Sequence, residues 1–164
     1  MNKSKIFLYT DGSCLNNGTQ SARGGWGVVL ENDNKQLILN GDESSTTSQR
    51  MELKAIIEGL KNIKSTYKES HVYTDSAYAL NGCETWRHKW KLNGWRNSTD
   101  KNPVKNLDLW KELDALLDGR NVCFHKVKAH SGHPQNELAD KLAVAASHDR
   151  VTKQYRSVGD YDFC

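Results

Sequence analysis

Two short apolar and aromatic runs, residues 5–10 (Lys-Ile-Phe-Leu-Tyr-Thr) and residues 70–74 (Ser-His-Val-Tyr-Thr), are each followed by an aspartate, Asp11 and Asp75. Both have the length and the β-branched, aromatic content of a strand. Between them, residues 45–60 read as one helix, with Leu53, Ile56, Ile57, Leu60 and Ile63 at helical spacing on an apolar stripe. A strand, a helix and a second strand imply a right-handed crossover and parallel pairing, which would bring Asp11 and Asp75 to the same edge of one sheet. Thr46 with Gln49 three residues later fits a capping box at the helix start. Glu52 then stands one residue off the stripe, in the first turn, at the rim of the core. Taken alone, a first-turn Glu does no more than suit the helix dipole, and Asp11-Gly12-Ser13 after a strand reads as a turn.

The rest of the chain adds to this frame. Residues 26–30 and 36–41 are strand-like, and Asn32-Asp33-Asn34 between them is a turn signal, so the first three strands should form an antiparallel meander. Residues 122–127 read as a fifth strand, residues 107–117 as a core-packing helix and residues 136–146 as a final helix that carries Asp140 four positions after Asn136. His133-Pro134 at its mouth fixes helix entry. Asp11, Glu52, Asp75 and Asp140 would repel one another at a single edge unless a cation held them. Hard oxygen ligands select magnesium or manganese, and two such ions about 4 Å apart serve in-line phosphodiester hydrolysis.

Composition bounds the alternatives. At 164 residues and 18.6 kDa, with 37% hydrophobic residues, the chain suits one domain with one sizeable core. No window approaches the roughly 20 apolar residues of a membrane span, and residues 1–5 lead into a strand instead of a signal-peptide apolar region, so a cytoplasmic protein free of membrane is expected. Cys14, Cys83, Cys123 and Cys164 form no C-x-x-C pair and are expected to be free thiols. The net charge of +3 is unevenly spread: residues 86–106 hold Arg87, Lys89, Lys91, Arg96, Lys101 and Lys105 against Asp100, with Trp86, Trp90 and Trp95 interleaved. Such a patch attracts phosphates and offers aromatic faces for sugars or bases, although Trp86 and Trp90, four residues apart, also suit a core.

Tyr9-Thr10-Asp11-Gly12-Ser13, Arg50-Met51-Glu52-Leu53, Tyr73-Thr74-Asp75-Ser76 and residues 130–140 (His-Ser-Gly-His-Pro-Gln-Asn-Glu-Leu-Ala-Asp), in that order and spacing, closely resemble the motifs of ribonuclease HI. The resemblance covers residues 5–146. It implies an α/β, ribonuclease H-like fold: a five-stranded mixed sheet, three strands antiparallel and then two parallel, with helices on both faces. A single catalytic domain over residues 1–146 and a partly loose tail over residues 147–164 are expected.

The resemblance further implies a monomer that hydrolyses the RNA strand of RNA–DNA hybrid duplexes with two Mg2+ ions, for which Mn2+ can substitute. The products would carry 5′-phosphate and 3′-hydroxyl ends. Asp11, Glu52, Asp75 and Asp140 match the metal-binding carboxylates, and His130 matches a loop histidine that assists proton movement or product release. Cys14, Asn16, Asn17 and Gln49 match positions lining the RNA minor groove, where the 2′-hydroxyl marks RNA. Thr47 and Asn106 match contacts to a DNA phosphate, and Trp86, Lys89, Trp90, Lys91, Trp95 and Arg96 belong to a basic protrusion that grips the DNA strand. Ser48 stands where Asn is common, and the loop of residues 18–25 is longer than in the compact bacterial form. A non-catalytic binding module, and a transposase, integrase or junction nuclease of the same fold, are the competing readings.

Overall fold

The computed structural model describes residues 4–33 and 35–158. Asn34 of the expected turn, Cys164 and the end of the tail lie outside the described residues. Three strands open the chain: β1 (Lys5–Leu15), β2 (Arg23–Asn32) and β3 (Lys35–Ser44). Helix α1 (Ser48–Lys61) crosses to β4 (Glu69–Thr74). Then come α2 (Ala77–Asn81), a π-helical turn (Gly82–Trp86), α3 (Arg87–Leu92), α4 (Leu107–Leu117), β5 (Val122–Lys126), α5 (Pro134–Ser147) and β6 (Lys153–Ser157). The sheet order is β5-β4-β1-β2-β3-β6, with β1 parallel to β4, β4 parallel to β5, and the other pairings antiparallel.

Period-two alternation in the central strands serves two cores. Leu8, Val28 and Leu30 face α1 and α4, where Leu53, Ile56, Ile57, Leu60, Trp110 and Leu113 close the larger core. Tyr9, Val29 and Ile38 point to the other face and meet Leu138, Ala139 and Leu142 of α5. Each fully buried Leu or Ile here contributes about 1.5 to 3 kcal/mol relative to exposure. Helices therefore lie on both faces of a mixed sheet, as expected from the crossover and the meander.

Three details differ from the sequence reading. Strand β1 does not end at Asp11: it runs on to Leu15, pairing Asp11 with Gly27 and Leu15 with Arg23. What ends is the parallel ladder, at Tyr9 and Tyr73, so Asp11 stands just past the β1–β4 pairing while still inside the β1–β2 hairpin. The cap of α1 is Thr47, whose side chain accepts from the Arg50 N–H, whereas Thr46 is buried and donates to Glu43 Oε1 at 2.6 Å. Finally, five strands become six. Residues 153–157 carry no apolar alternation, yet their backbone pairs with the outer edge of β3, and Arg156 Nε donates to Gln36 Oε1 at 2.6 Å.

Candidate active site

Asp11 is 8% exposed and accepts the Gly12 N–H at 2.9 Å. Glycine is required next to it for space. A Cβ on Gly12 would lie 2.5 Å from Glu52 N and 2.7 Å from Met51 C, so its absence lets the first turn of α1 rest on β1 and sets Glu52 beside Asp11. Asp75 follows β4, where Thr74 Oγ1 accepts from Ser76 N at 3.1 Å and Ser76 caps α2 by accepting from Ala79 N. Asp11, Glu52 and Asp75 each offer a carboxylate oxygen within 4.8 Å of the others.

Helix α5 brings the fourth carboxylate. On β2, a Cβ at Gly27 would meet Ala139 O at 2.2 Å, so the bare strand lets α5 sit close to the sheet. Asp140 then lines one pocket with Asp11 and Asp75, together with Lys128, His130 and Glu137. His130 is exposed, in a left-handed conformation (φ 52°), and offers a ring nitrogen within 4.8 Å of Glu137 and Asp140 oxygens. His133 occupies the N-cap position of α5 with Pro134 next, and its ring packs 5.5 Å from Tyr9.

The electrostatics are those of crowded acids. Burial, then the neighbouring Asp75, pushes the Asp11 carboxyl up to about 7, and Asp140 adds to this. Burial and the charges of Asp11 and Asp75 hold Glu52 well above the usual carboxylate range. Asp75 is raised as well, by burial first, against the pull of His130 and Lys126. Glu52 Oε2 is buried with no hydrogen-bond partner among the described residues, and so is Asn136 Oδ1. An oxygen-only donor set, crowded, desolvated and with an orphaned oxygen, fits a hard divalent cation. Asp11, Glu52 and Asp75 would hold one, with Asp140 able to share a second through Asp11.

The expected substrate residues fall into two surfaces. On one, the loop of residues 16–22 is tied to α1, where Asn17 Nδ2 donates to Ser48 Oγ at 3.2 Å and Ser48 N donates to Asn17 Oδ1 at 3.0 Å, and near the end of β1 Cys14 Sγ donates to Thr46 O, just before the helix, at 3.6 Å. This places Cys14, the exposed Asn16 (φ 53°), Asn17, Thr47, Ser48 and Gln49 next to the turn that carries Glu52. Asn106 is also left-handed and caps α4, where its side chain donates to Tyr78 Oη at 3.0 Å. Arg50 joins the two elements, pairing with Glu43 at 3.0 Å and bidentately with Asp108 at 3.0 and 2.9 Å, and reaching Asn106 Oδ1 at 3.5 Å.

The second surface is the basic segment. Trp86, Lys89, Trp90 and Arg96 line an open groove. Lys91 lies outside it and pairs with Asp114 at 3.2 Å, and Trp95 packs against the larger core. Trp86 and Trp90 are half-buried, their rings 6.0 Å apart, and Trp90 also meets Trp110 edge-on at 5.2 Å. Two residues of these sites escape a sequence reading, Arg50 and Glu137. Glu137 lies three residues before Asp140 on the helix, a spacing that signals a shared face; Arg50 lies beside Glu52 in sequence, but its bidentate pair with Asp108, 58 residues on, leaves no such local trace.

Among the described residues, no helix is long and apolar enough to cross a membrane. The RNase H family profile matches residues 3–148. The chain is 49% identical over 138 residues to the ribonuclease HI of Neisseria meningitidis serogroup B, covering 84% of this chain and 92% of that one. Among solved structures it is similar to LC9-RNase H1, a type 1 RNase H with the type 2 active-site motif, at 31% identity and a TM-score of 0.82 over 97% of this chain and 80% of that one. It also shares its fold with the foamy viral protease-reverse transcriptase in complex with RNA/DNA hybrid, at 24% identity and a TM-score of 0.71 over 90% of this chain and 20% of that one. With crowded carboxylates at the seam of β1, β4, α1 and α5, and a profile match over nearly the whole chain, this protein belongs to the ribonuclease H family, endonucleases that degrade the RNA strand of RNA–DNA hybrids.

Proposed function

We propose that Asp11, Glu52, Asp75 and Asp140 hold two magnesium ions, replaceable by manganese, and that the chain acts with them as a cytoplasmic monomer on hybrid duplexes. The products carry 5′-phosphate and 3′-hydroxyl ends. The observation that carries this reading is the buried Glu52 Oε2, without a hydrogen-bond partner among the described residues, beside an Asp11 carboxyl raised to about 7, since the site is charge-frustrated until a cation enters. When bound, divalent ions neutralise the acids, lower the pKa of an attacking water and stabilise the leaving 3′-oxygen.

The chain's own groups do the rest. Asp11, grouped with Glu52 and Asp75 and lining the same pocket as Asp140, would contribute to holding both ions. Glu52 accepts from the 2′-hydroxyl of the RNA strand, and Cys14, Asn16, Asn17, Ser48 and Gln49 line the groove where that hydroxyl is read. His130, exposed at the pocket rim, takes or returns a proton near the leaving group and follows the product out. Thr47 and Asn106 hold a DNA phosphate, and the groove of Trp86, Lys89, Trp90 and Arg96, braced by Lys91 and Trp95, grips the DNA strand further along.

A labelled RNA–DNA hybrid incubated with and without magnesium, beside duplex DNA and duplex RNA, tests the reading. Cleavage of the RNA strand of the hybrid alone, lost on chelation, is expected. Equal cleavage of duplex RNA, or cleavage that survives chelation, would overturn it.

A further inference from the structure

At the other end of β4, away from the carboxylate pocket, three donors of a different chemistry converge. Glu69 and His71 alternate on β4, and Cys123 of β5 stands directly across from His71 in the parallel register. One ligand atom from each lies within 4.8 Å of the others, and all three residues are half-buried. His71 Nε2 is 3.4 Å from Glu69 Oε1, and Cys123 Sγ is 3.9 Å from the same oxygen. Zinc ligands at about 2.0 to 2.3 Å from a tetrahedral ion stand roughly 3.3 to 3.7 Å apart, so these separations are near those of a formed site.

We propose that Glu69, His71 and Cys123 form a binding site for zinc, with water in the fourth position. Magnesium is the wrong ion for it, because thiolate and imidazole are soft or borderline donors that select zinc over hard cations. His71 Nε2 is shielded from solvent and makes no hydrogen bond among the described residues, as a donor waiting for an ion would be. The groups behind the donors are arranged for the same purpose. His71 Nδ1 lies 2.8 Å from His125 Nε2; with the proton on His71 Nδ1, donated to His125 Nε2, the His71 Nε2 lone pair is free for the metal, the tautomer the proposal requires. Lys5 Nζ, 3.4 Å from Glu69 Oε2, fixes the carboxylate by its other oxygen and leaves Oε1 facing the thiol.

The fold leaves the site accessible. α5 packs on β1, β2 and β3, and among the described residues the rings of Phe7, His71, Tyr73 and His125 stack along the β4–β5 side. Binding deprotonates Cys123: the S–H proton leaves to solvent, one per ion, as a zinc–thiolate bond forms.

The probe is the metal itself, added to the full chain with magnesium in excess to saturate the carboxylates. Cobalt, a spectroscopic stand-in for zinc, should give one thiolate charge-transfer band per chain with intense tetrahedral visible bands; zinc added to the metal-free site should release one proton, and zinc added to the cobalt form should displace the cobalt with no further proton release. Cys123→Ser should abolish the charge-transfer band, and His71→Phe the tetrahedral bands. Cys14→Ser should change neither. His125→Phe should weaken zinc about 10- to 100-fold while leaving the melting temperature of the zinc-free protein in place. Absence of a thiolate band in the wild type, or a band that persists in Cys123→Ser or vanishes in Cys14→Ser, would overturn the assignment. Zinc stabilisation of the wild-type fold that is lost in Cys123→Ser gives a second readout that does not depend on cobalt.

Discussion

The carboxylate pocket and the basic segment each gather like charges, and the chain treats the two gatherings in opposite ways. In the pocket, Asp11, Glu52 and Asp75 come from three parts of the chain far apart in sequence, are packed to within 4.8 Å and are buried or half-buried, so their repulsion is strong and their protons are held. In the segment, Lys89, Arg96 and Lys101 come from one short stretch and stay exposed, where water screens them. Buried like charge stores a demand for a specific cation; solvated like charge supplies a diffuse attraction for a polyanion. Substitutions in the two regions should therefore fail in different ways, one in chemistry and the other in affinity.

The largest effect belongs to the pocket. Asp75→Asn removes one ligand charge at nearly constant shape, and turnover in magnesium should fall at least about 10³-fold, because charge stabilisation at such centres amounts to several kcal/mol. Hybrid affinity, measured with chelator present, should barely change. More than about a tenth of wild-type turnover would remove Asp75 from the metal site. His130→Ala comes next. General acid–base help is worth about 10² to 10⁴ in rate, so this variant should be slow and alive where Asp75→Asn is dead. Wild-type single-turnover and steady-state rates from about pH 6 to 9 would leave the carboxylates to act alone.

A third effect separates buried from solvated charge without any substrate. The Asp11 carboxyl is raised in the fold to about 7 from an ordinary 3.8, so the fold favours its protonated form. The stability this contributes is complete below about pH 4 and is lost as pH rises through about 7. The metal-free wild type should accordingly weaken over that window, and Asp11→Asn, which cannot ionise, should be the more stable protein by on the order of 2 kcal/mol above about pH 8. Magnesium should restore the wild type there and leave the variant unmoved. Urea unfolding in chelator at a series of pH values reads this directly, and parallel profiles for the two proteins would show that Asp11 carries no such frustration.

Much of this contrast was legible in the sequence, for identifiable reasons. Periodicity marked α1 and α4, and the repeated Thr-Asp ends placed Asp11 and Asp75 together, because a parallel crossover admits few geometries. Gly12 misled: Asp-Gly signals a turn locally, while the actual demand was room for α1, a contact between residues about 40 apart in the chain. Thr46 and Thr47 are equally good caps by type; in the fold Thr46 is engaged with Glu43, a partner the local pattern does not reveal, and Thr47 takes the cap. Strand β6 was invisible because an edge strand held by backbone pairing needs no apolar pattern, and Tyr155 stays 74% exposed. The basic segment was legible as charge, whereas its division into groove and support was not: that depends on Asp114, a residue of α4, drawing Lys91 away.

That division gives the smallest and most discriminating effect. Each Lys or Arg that neutralises a phosphate releases condensed counterion, and losing one contact flattens the plot of log affinity against log salt by about one unit. Lys89 and Arg96 line the groove, so replacing both by Ala should flatten the slope by about two units and raise KM several-fold, with turnover at saturating hybrid nearly unchanged. Lys91→Ala, one residue class and two positions away, should flatten it far less, because the ammonium is engaged with Asp114 at 3.2 Å and Arg87 holds the same carboxylate at 2.7 Å. Its deletion leaves Asp114 still paired, so stability should move by no more than about 1 kcal/mol. Equal slopes for Lys89→Ala and Lys91→Ala would mean that the whole face acts as an undifferentiated positive cloud. An unchanged slope in the Lys89, Arg96 double variant would mean that the groove meets no phosphate at all, and that the three tryptophans serve only the core beneath them.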